Sequence, residues 1–526
     1  MLGRRSTALL LASTLVLPFA AGAQERTQPD ISPEPAPAGT VEDARDLREA
    51  LETYLTATPF DLGALRVEPD EAGLRIVLDP ADLIAEIVGR SVEFSPLSFV
   101  VSERPDGDWN VFWNDPIEAS ATFEIGGEEQ SEAYRQDWQA YKGVFSPSLG
   151  TFITLAGESG PTTQVSSDAF SQGLVGFMGS AFEMTAQAAA GGGVDLAFRQ
   201  TYDGFAQTLA VEIPLDESAP EETFAFSFEA SLASVENSGT SAGLRTRELL
   251  DLYVLALSHA EALAEDPRAA LSGPVGEELK TALETALPLW DELDVTGEAE
   301  DFGVTTLFGD FAIERLVQTL RMSGIDESTF FETDVSLSGI STRSVLVPEW
   351  AGALTPTLIE FGLTAADINL STPLDILLRE ADFEREDILS PEAADKMIAA
   401  FDRERIRLGL DGGRIEAELF DLSFEGSVSI ARGGPDARLN LAMSGLDETI
   451  AALQAAAVDT PELNEGIGML QLAKGFSRPG EDGRAIWDIE ARPDGSVHLN
   501  GAMLKGPDAP GADEGDEGDE GARDEL

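Results

Sequence analysis

Apolar and polar positions alternate with a period of two over most of this chain, and that rhythm predicts β-strands. Leu74, Ile76 and Leu78 alternate with Arg75 and Val77. Leu97, Phe99 and Val101 lead through Arg104-Pro105-Asp106-Gly107 to Trp109, Val111 and Trp113. That spacing predicts a hairpin, because a Pro-Asp-Gly turn joins two runs whose apolar residues share a face. Further alternation over 121–125, 151–155 and 194–198, and in Phe224, Phe226, Phe228, Ala230 and Leu232, extends the reading to an antiparallel sheet with one wet face.

The period changes to about 3.6 in two places. Thr40 and Asp43 form a capping signature ahead of Leu47, Leu51, Tyr54 and Leu55, which predicts a helix beginning near residue 41. Residues 244–322 show Leu249, Leu250, Tyr253, Val254 and Leu257, then Leu279, Leu283, Leu287 and Trp290, then Ile313, Leu316, Val317 and Leu320. These spacings predict a helical middle segment, with Pro288 kinking its second helix. Alternation then returns. Thr333, Val335 and Leu337 run into Ser338-Gly339-Ile340, and Leu439, Leu441 and Met443 into Ser444-Gly445-Leu446; each reads as a strand, a Ser-Gly turn and a non-strand segment, the second a helix to Val458. Ile406, Leu408 and Leu410 are expected to pair through Asp411-Gly412-Gly413 with Ile415, Ala417 and Leu419. Trp487, Ile489 and Ala491 meet a second Arg-Pro-Asp-Gly turn at 492–495 before Val497 and Leu499. The fold class is therefore α+β, mostly antiparallel sheet in two β-rich halves, 41–243 and 323–505, with helices over 244–322.

The two ends read differently. Residues 1–23 have the parts of a secretory leader: Arg4 and Arg5, an apolar stretch from Leu9 to Ala20, and an A-x-A cleavage site at Ala21 and Ala23. Residues 24–40 are Pro-rich and aperiodic, which predicts an extended linker. Residues 506–526 repeat Asp-Glu-Gly and are too polar to pack, which predicts a disordered acidic tail. The final Arg-Asp-Glu-Leu mimics an endoplasmic-reticulum address, but the composition points to bacteria. Only five basic residues are Lys (142, 280, 396, 474 and 505) among 34, and Arg with abundant Ala and Gly is a GC-rich coding bias. The expected location is the periplasm. No later stretch of about 18 residues is apolar enough to span a bilayer, so the mature chain is expected to have no transmembrane helix.

Composition narrows the function. With 96 acidic and 34 basic residues the 526-residue chain carries a formal charge of −62, which excludes the basic footprint of a nucleic-acid binder. It has no cysteine, so disulfides, thiolate metal sites and cysteine nucleophiles are excluded. It has 27 Phe, enough for large cores or for an apolar groove.

One motif carries catalytic chemistry. Gly239-Thr240-Ser241-Ala242-Gly243 fits the G-x-S-x-G nucleophile turn, a strand is expected before it and a helix after it, and His498 lies downstream. The preceding strand alternates where a hydrolase's central strand would be a continuous apolar run, which argues against catalysis and favours a Ser/Gly loop entering a helix. Of the two histidines, His259 is expected near a helix end and His498 on the face opposite the core. Neither belongs to an HExxH pair. Asp106-Gly107-Asp108-Trp109-Asn110 lacks the sixth-position Gly (Val111) and twelfth-position Glu (Ile117) of a calcium loop. No metal or cofactor is expected.

The segments DVSLSGI (334–340), VPEWAGALTPT (347–357), LNLAMSGLDETIAAL (439–453) and AIWDIEARPDGSVHLNG (485–501) resemble uncharacterised envelope proteins of alphaproteobacteria, domain-of-unknown-function families loosely similar to AsmA-like β-rich proteins. The resemblance spans about 41–505 and rests on strands and turns. It implies a role in outer-membrane or lipid homeostasis and supplies no catalytic residue. AsmA has a membrane anchor where this chain has a leader. The expectation from the whole sequence is a non-enzymatic envelope protein that binds an apolar ligand such as a lipid, or an envelope protein, through a sheet face. The competing expectation is a serine hydrolase using Ser241.

Overall fold

The structure is a computed structural model, and it describes residues 26–82, 84, 92–125, 128–168, 170–214, 223–385, 387–401, 406–431 and 434–507. The leader with Ala21 and Ala23, and the acidic tail from 508 onward, lie outside the described residues. The fold is a mostly-β α+β fold whose strand pairings are antiparallel. Contacts divide the chain into two compact units, one of residues 1–348 and 369–400, the other of 349–368 and 401–526.

The first unit is built on a long hairpin, Val194–Pro214 paired with Thr223–Leu244. At about 3.3 Å per residue each arm runs roughly 70 Å. That length exceeds any one neighbour, so the sheet forks along the outer edge of Val194–Pro214. Residues 194–203 pair with Gly179–Ala188, and 206–211 with Ser171–Phe177. The first branch continues through Thr151–Ser159, Gln139–Ser146, Trp109–Trp113, Leu97–Glu103 and Gly73–Leu78 to Leu65–Asp70. The second runs through Thr162–Ser167, Glu128–Gln136 and Ile117–Ile125 to Val92–Phe94. The hairpin expected around Arg104–Gly107 is present, with Glu103 opposite Trp109.

Register explains how alternation became a core. Cross-strand partners share a face, and one row of partners reads Leu74, Val101, Val111, Gly143, Leu155, Met184, Phe198, Gly239, Val295 and Leu320 across ten strands. The helix Val41–Leu55 covers its near end: Ala44, Leu74 and Val101 are buried together, with Leu47, Val67 and Phe99 against them. Its capping box is formed, Asp43 N–H donating to Thr40 Oγ1 at 3.2 Å and Thr40 N–H to Asp43 Oδ2 at 2.9 Å.

The helical middle segment is shorter than expected. Helices occupy Thr246–Ser258, Ala260–Glu265, Pro267–Ser272 and Pro274–Ala286 and end before Pro288, which therefore kinks nothing. Glu292–Thr306 and Gly309–Ser323 are strands of the main sheet. Ile313 and Val317 lie on one face of the second strand and Leu316 and Leu320 on the other. A strand apolar on both faces presents the i, i+3, i+4, i+7 spacing of a helix, which is how the pattern misled. Ser338-Gly339-Ile340 turns as expected, Gly339 adopting φ +65°, but a short strand, Ser341–Ser344, follows it.

The second unit is a meander of Leu358–Ile368, Arg407–Glu416, Asp421–Ala431, Gly434–Ser444, Ala485–Ala491, Val497–Leu499 and Ala502–Lys505. Residues 411–413 do not form a hairpin turn. They are a bulge inside the single strand Arg407–Glu416, where the register with both neighbours shifts and Gly412 takes φ +59°. The helices Leu446–Ala456 and Leu463–Phe476 bury Leu446, Ile450 and Ile467 with Trp487 of the sheet.

Candidate functional site

The residues expected to form a linker are not a free spacer. Residues 26–39 have no helix or strand, yet they lie across the sheet face opposite the apolar row. Arg26 Nε donates to Asp203 Oδ2 at 2.6 Å and its Nη1 stands 3.7 Å from Glu158 Oε2. Lys142 Nζ donates to Glu34 Oε1 at 3.2 Å. Gly39 N–H donates to Asp70 O at 2.9 Å, joining the strap to the first strand just before the helix at Val41. Pro29, Pro33, Pro35 and Pro37 suit the place, since proline favours an extended backbone and leaves no amide donor to satisfy. Gly179 opens the space for Arg26: a Cβ there would lie 2.9 Å from Arg26 Cδ.

Beneath the strap two hollows adjoin. One of about 490 Å³ is bounded by Pro29 and Ile31 above and by Ala140, Ala156, Ala181 and Thr201 below. The other, about 600 Å³, lies between Pro33 and Pro35 and the side chains of Val100, Phe112, Val144 and Thr185. Lys142, Ala156 and Glu183 line both. Register accounts for this lining. The row Val100, Phe112, Lys142, Ala156, Glu183, Arg199 is flanked by a row of small residues, Ser102, Asn110, Val144, Thr154, Thr185, Ala197. Small side chains leave a trough under the strap, and the volumes fall in the range of small-molecule sites. The floor combines small and apolar side chains with charged ones, and Lys142 and Glu183 both stand where the hollows meet. Sequence reading missed these residues because alanines and threonines on polar positions of a strand look like its wet face. The available signal was the alternation Ala140, Lys142, Val144 against Thr154, Ala156, Glu158.

Ser241 is placed otherwise than a nucleophile needs. It lies inside the strand Thr223–Leu244, paired with Leu196 and Leu293, 5% exposed, and its Oγ makes no hydrogen bond among the described residues. The chain turns at Gly243, φ +62°, whose N–H donates to Asp195 Oδ1 at 3.1 Å. Gly239 belongs to the apolar row, where a Cβ would stand 2.9 Å from the Phe198 ring. The motif's glycines thus serve packing and strand exit, and among the described residues no base is hydrogen-bonded to the serine.

His259 sits at the end of the helix Thr246–Ser258 as expected, its Nε2 3.4 Å from Glu278 Oε2. His498 belongs to the second unit and lies, as expected, on the face opposite Leu499 and the core, yet it is only 8% exposed, between its cross-strand neighbours Glu490 and Met503. No group of three or more metal-ligating side chains converges among the described residues. Burial pushes the Tyr141 and Tyr134 hydroxyls up from the ordinary phenol value, so both stay protonated in neutral solution. No described helix is long and apolar enough to cross a membrane. No protein-family model, curated protein or solved structure matches this chain.

Proposed function

We propose that this chain is a non-enzymatic envelope protein that holds an elongated amphipathic ligand, a lipid or a molecule with a lipid-like body, between the strap 26–39 and the sheet. The observation that carries the reading is the pair of adjoining hollows of about 490 and 600 Å³ under the strap. The Ala, Val and Phe side chains of the trough suit hydrocarbon, and Lys142 and Glu183 at the junction suit a polar headgroup on it. The strap's own Glu34 accepts a hydrogen bond from the Lys142 ammonium at 3.2 Å. Two features of the sequence support the location: the leader-like residues 1–23, and the resemblance of four segments to alphaproteobacterial envelope proteins.

Ala156 lines both hollows and is replaced by tryptophan in the test. Native mass spectrometry of the wild-type chain purified from its own host is expected to show a co-purifying amphiphile that organic solvent releases. Ala156→Trp, with unchanged circular dichroism, is expected to carry at least tenfold less. A wild-type chain with no such adduct, or an Ala156→Trp chain carrying the same amount, overturns the reading.

A further inference from the structure

At one end of the first unit's sheet two turns meet and present apolar side chains to solvent. The turn of the hairpin Glu292–Thr306 and Gly309–Ser323 carries Leu307, 62% exposed, and Phe308, 52% exposed. Beside it, after the strand Ser341–Ser344, stand Val345 at 85% and Leu346 at 68%. A quarter of the chain is charged, yet residues 304–309 and 344–348 contain no charged side chain. Of the charged positions that flank these runs, Asp310 and Arg343 are opposite each other in the register and cancel, and Glu349 follows Pro348. Behind the tip, Phe302, Val304 and Phe311 continue the apolar surface along the strap-bearing face, Phe302 and Phe311 meeting edge to face at 6.3 Å between centroids.

Four backbone amides of the tip, those of 308 and 345–347, are hydrogen-bonded within it. Val345 N–H donates to Phe308 O at 3.0 Å and Ser344 Oγ donates to the same oxygen at 2.7 Å. Leu346 N–H donates to Ser344 Oγ at 3.1 Å, Val347 N–H to Ser344 O at 3.2 Å, and Phe308 N–H to Thr306 Oγ1 at 3.1 Å. Water is the usual partner of an exposed turn's backbone, and a protein partner can replace it. Hydrocarbon cannot, so a segment entering a bilayer must satisfy its backbone internally.

From these two features together, uncharged apolar side chains on turns whose amides at 308 and 345–347 are already paired, we infer that the 307–308 and 345–346 turns insert into the surface of a lipid bilayer. A net charge of −62 repels anionic lipid, so the surface it fits best is zwitterionic. The inference goes beyond the ligand reading and rests on different residues: it gives the strap-bearing face a contact with the phase in which an amphiphile resides.

The absence of cysteine allows a site-specific test in the full chain. An environment-sensitive fluorophore on Val345→Cys is expected to shift to the blue on adding phosphatidylcholine vesicles and to be quenched by acyl-chain spin labels. The same fluorophore on Glu261→Cys, on a helix away from the tip, is expected to do neither. Adding Leu307→Ser and Phe308→Ser to the Val345→Cys chain is expected to raise the lipid concentration for half-maximal shift at least tenfold, because two large side chains lose their hydrocarbon contact. No shift at position 345, an equal shift at 261, or an unchanged titration in the serine variant overturns the inference. So does a shift produced by raising protein concentration without lipid, which assigns the tip to a second copy of the chain. Ala156→Trp leaves the tip intact, so failure of the ligand reading and failure of this one are read separately.

Discussion

At Asp421 two guanidinium groups meet. Arg414 Nη2 stands 2.8 Å from Oδ2 and Arg484 Nη2 2.9 Å from Oδ1, while Arg484 Nη1 donates to Ser423 Oγ at 3.0 Å. The hydrogen bond from Arg414 and the charge of both arginines hold the Asp421 carboxyl below its ordinary value against a smaller cost of burial. A depressed carboxylate adds stability above its unfolded pKa of about 4, and that contribution is lost as pH falls through the folded value. Asp421→Asn is expected to cost roughly 1 kcal/mol at pH 7, a figure discounted for partial exposure, in urea unfolding of the full chain. As pH falls through the lowered folded value the wild type and variant are expected to converge. A difference that persists undiminished in acid would assign Asp421 a packing role. Residue identity made arginine–carboxylate pairs certain in so acidic a chain, but not which pairs, because Arg484 reaches Asp421 from 63 residues away in sequence.

Single elements were legible where their determinants are local. The capping box at Thr40 and Asp43, the two Arg-Pro-Asp-Gly turns and the Gly445 start of the helix Leu446–Ala456 each depend on a few adjacent residues, and each is present. The strand Gly309–Ser323 and the bulge at 411–413 were misread because their apolar or glycine pattern fits two structures equally, and neighbouring strands chose between them. In the second unit the helix pair is held by apolar burial: Ile450 is 7% exposed beside Leu446, Ile467 and Trp487, whose Nε1–H donates to Ala473 O at 2.7 Å. Ile450→Ala is expected to cost about 2–5 kcal/mol, the transfer loss plus the cavity left behind, measured as a lower urea midpoint with an unchanged slope. A loss below about 1 kcal/mol would mean that the helices close over the gap.

For the molecule as a whole, charge dominates. Removal of residues 1–23 would take away Arg4 and Arg5 and bring −62 to −64, of which residues 506–526, with nine acids and one Arg, hold only −8. The remainder is spread over the folded body, which repels itself until salt screens it; the Debye length shrinks from about 10 Å at 0.1 M to about 3 Å at 1 M. The melting temperature is therefore expected to rise with NaCl between low and moderate concentration, and a flat or falling curve in differential scanning calorimetry would count against that account. The candidate site was the least legible feature at every scale. Composition marked residues 24–40 as Pro-rich and extended, but Arg26 meets Asp203 at a separation of 177 residues and Glu34 meets Lys142 at 108.

The sequence by itself determined the β-rich α+β class, the capped first helix, the hairpin turns and the acidic character, because strand period, caps and turn chemistry act over a few residues and charge is additive. Only in the folded chain does the Pro-rich segment strap the sheet, Ser241 lie inside a strand, and Leu307-Phe308 share one tip with Val345-Leu346. Each of these depends on strand register between distant segments. One residue of slip would carry every side chain of a strand to the other face, so the contacts exist only once the whole sheet has formed.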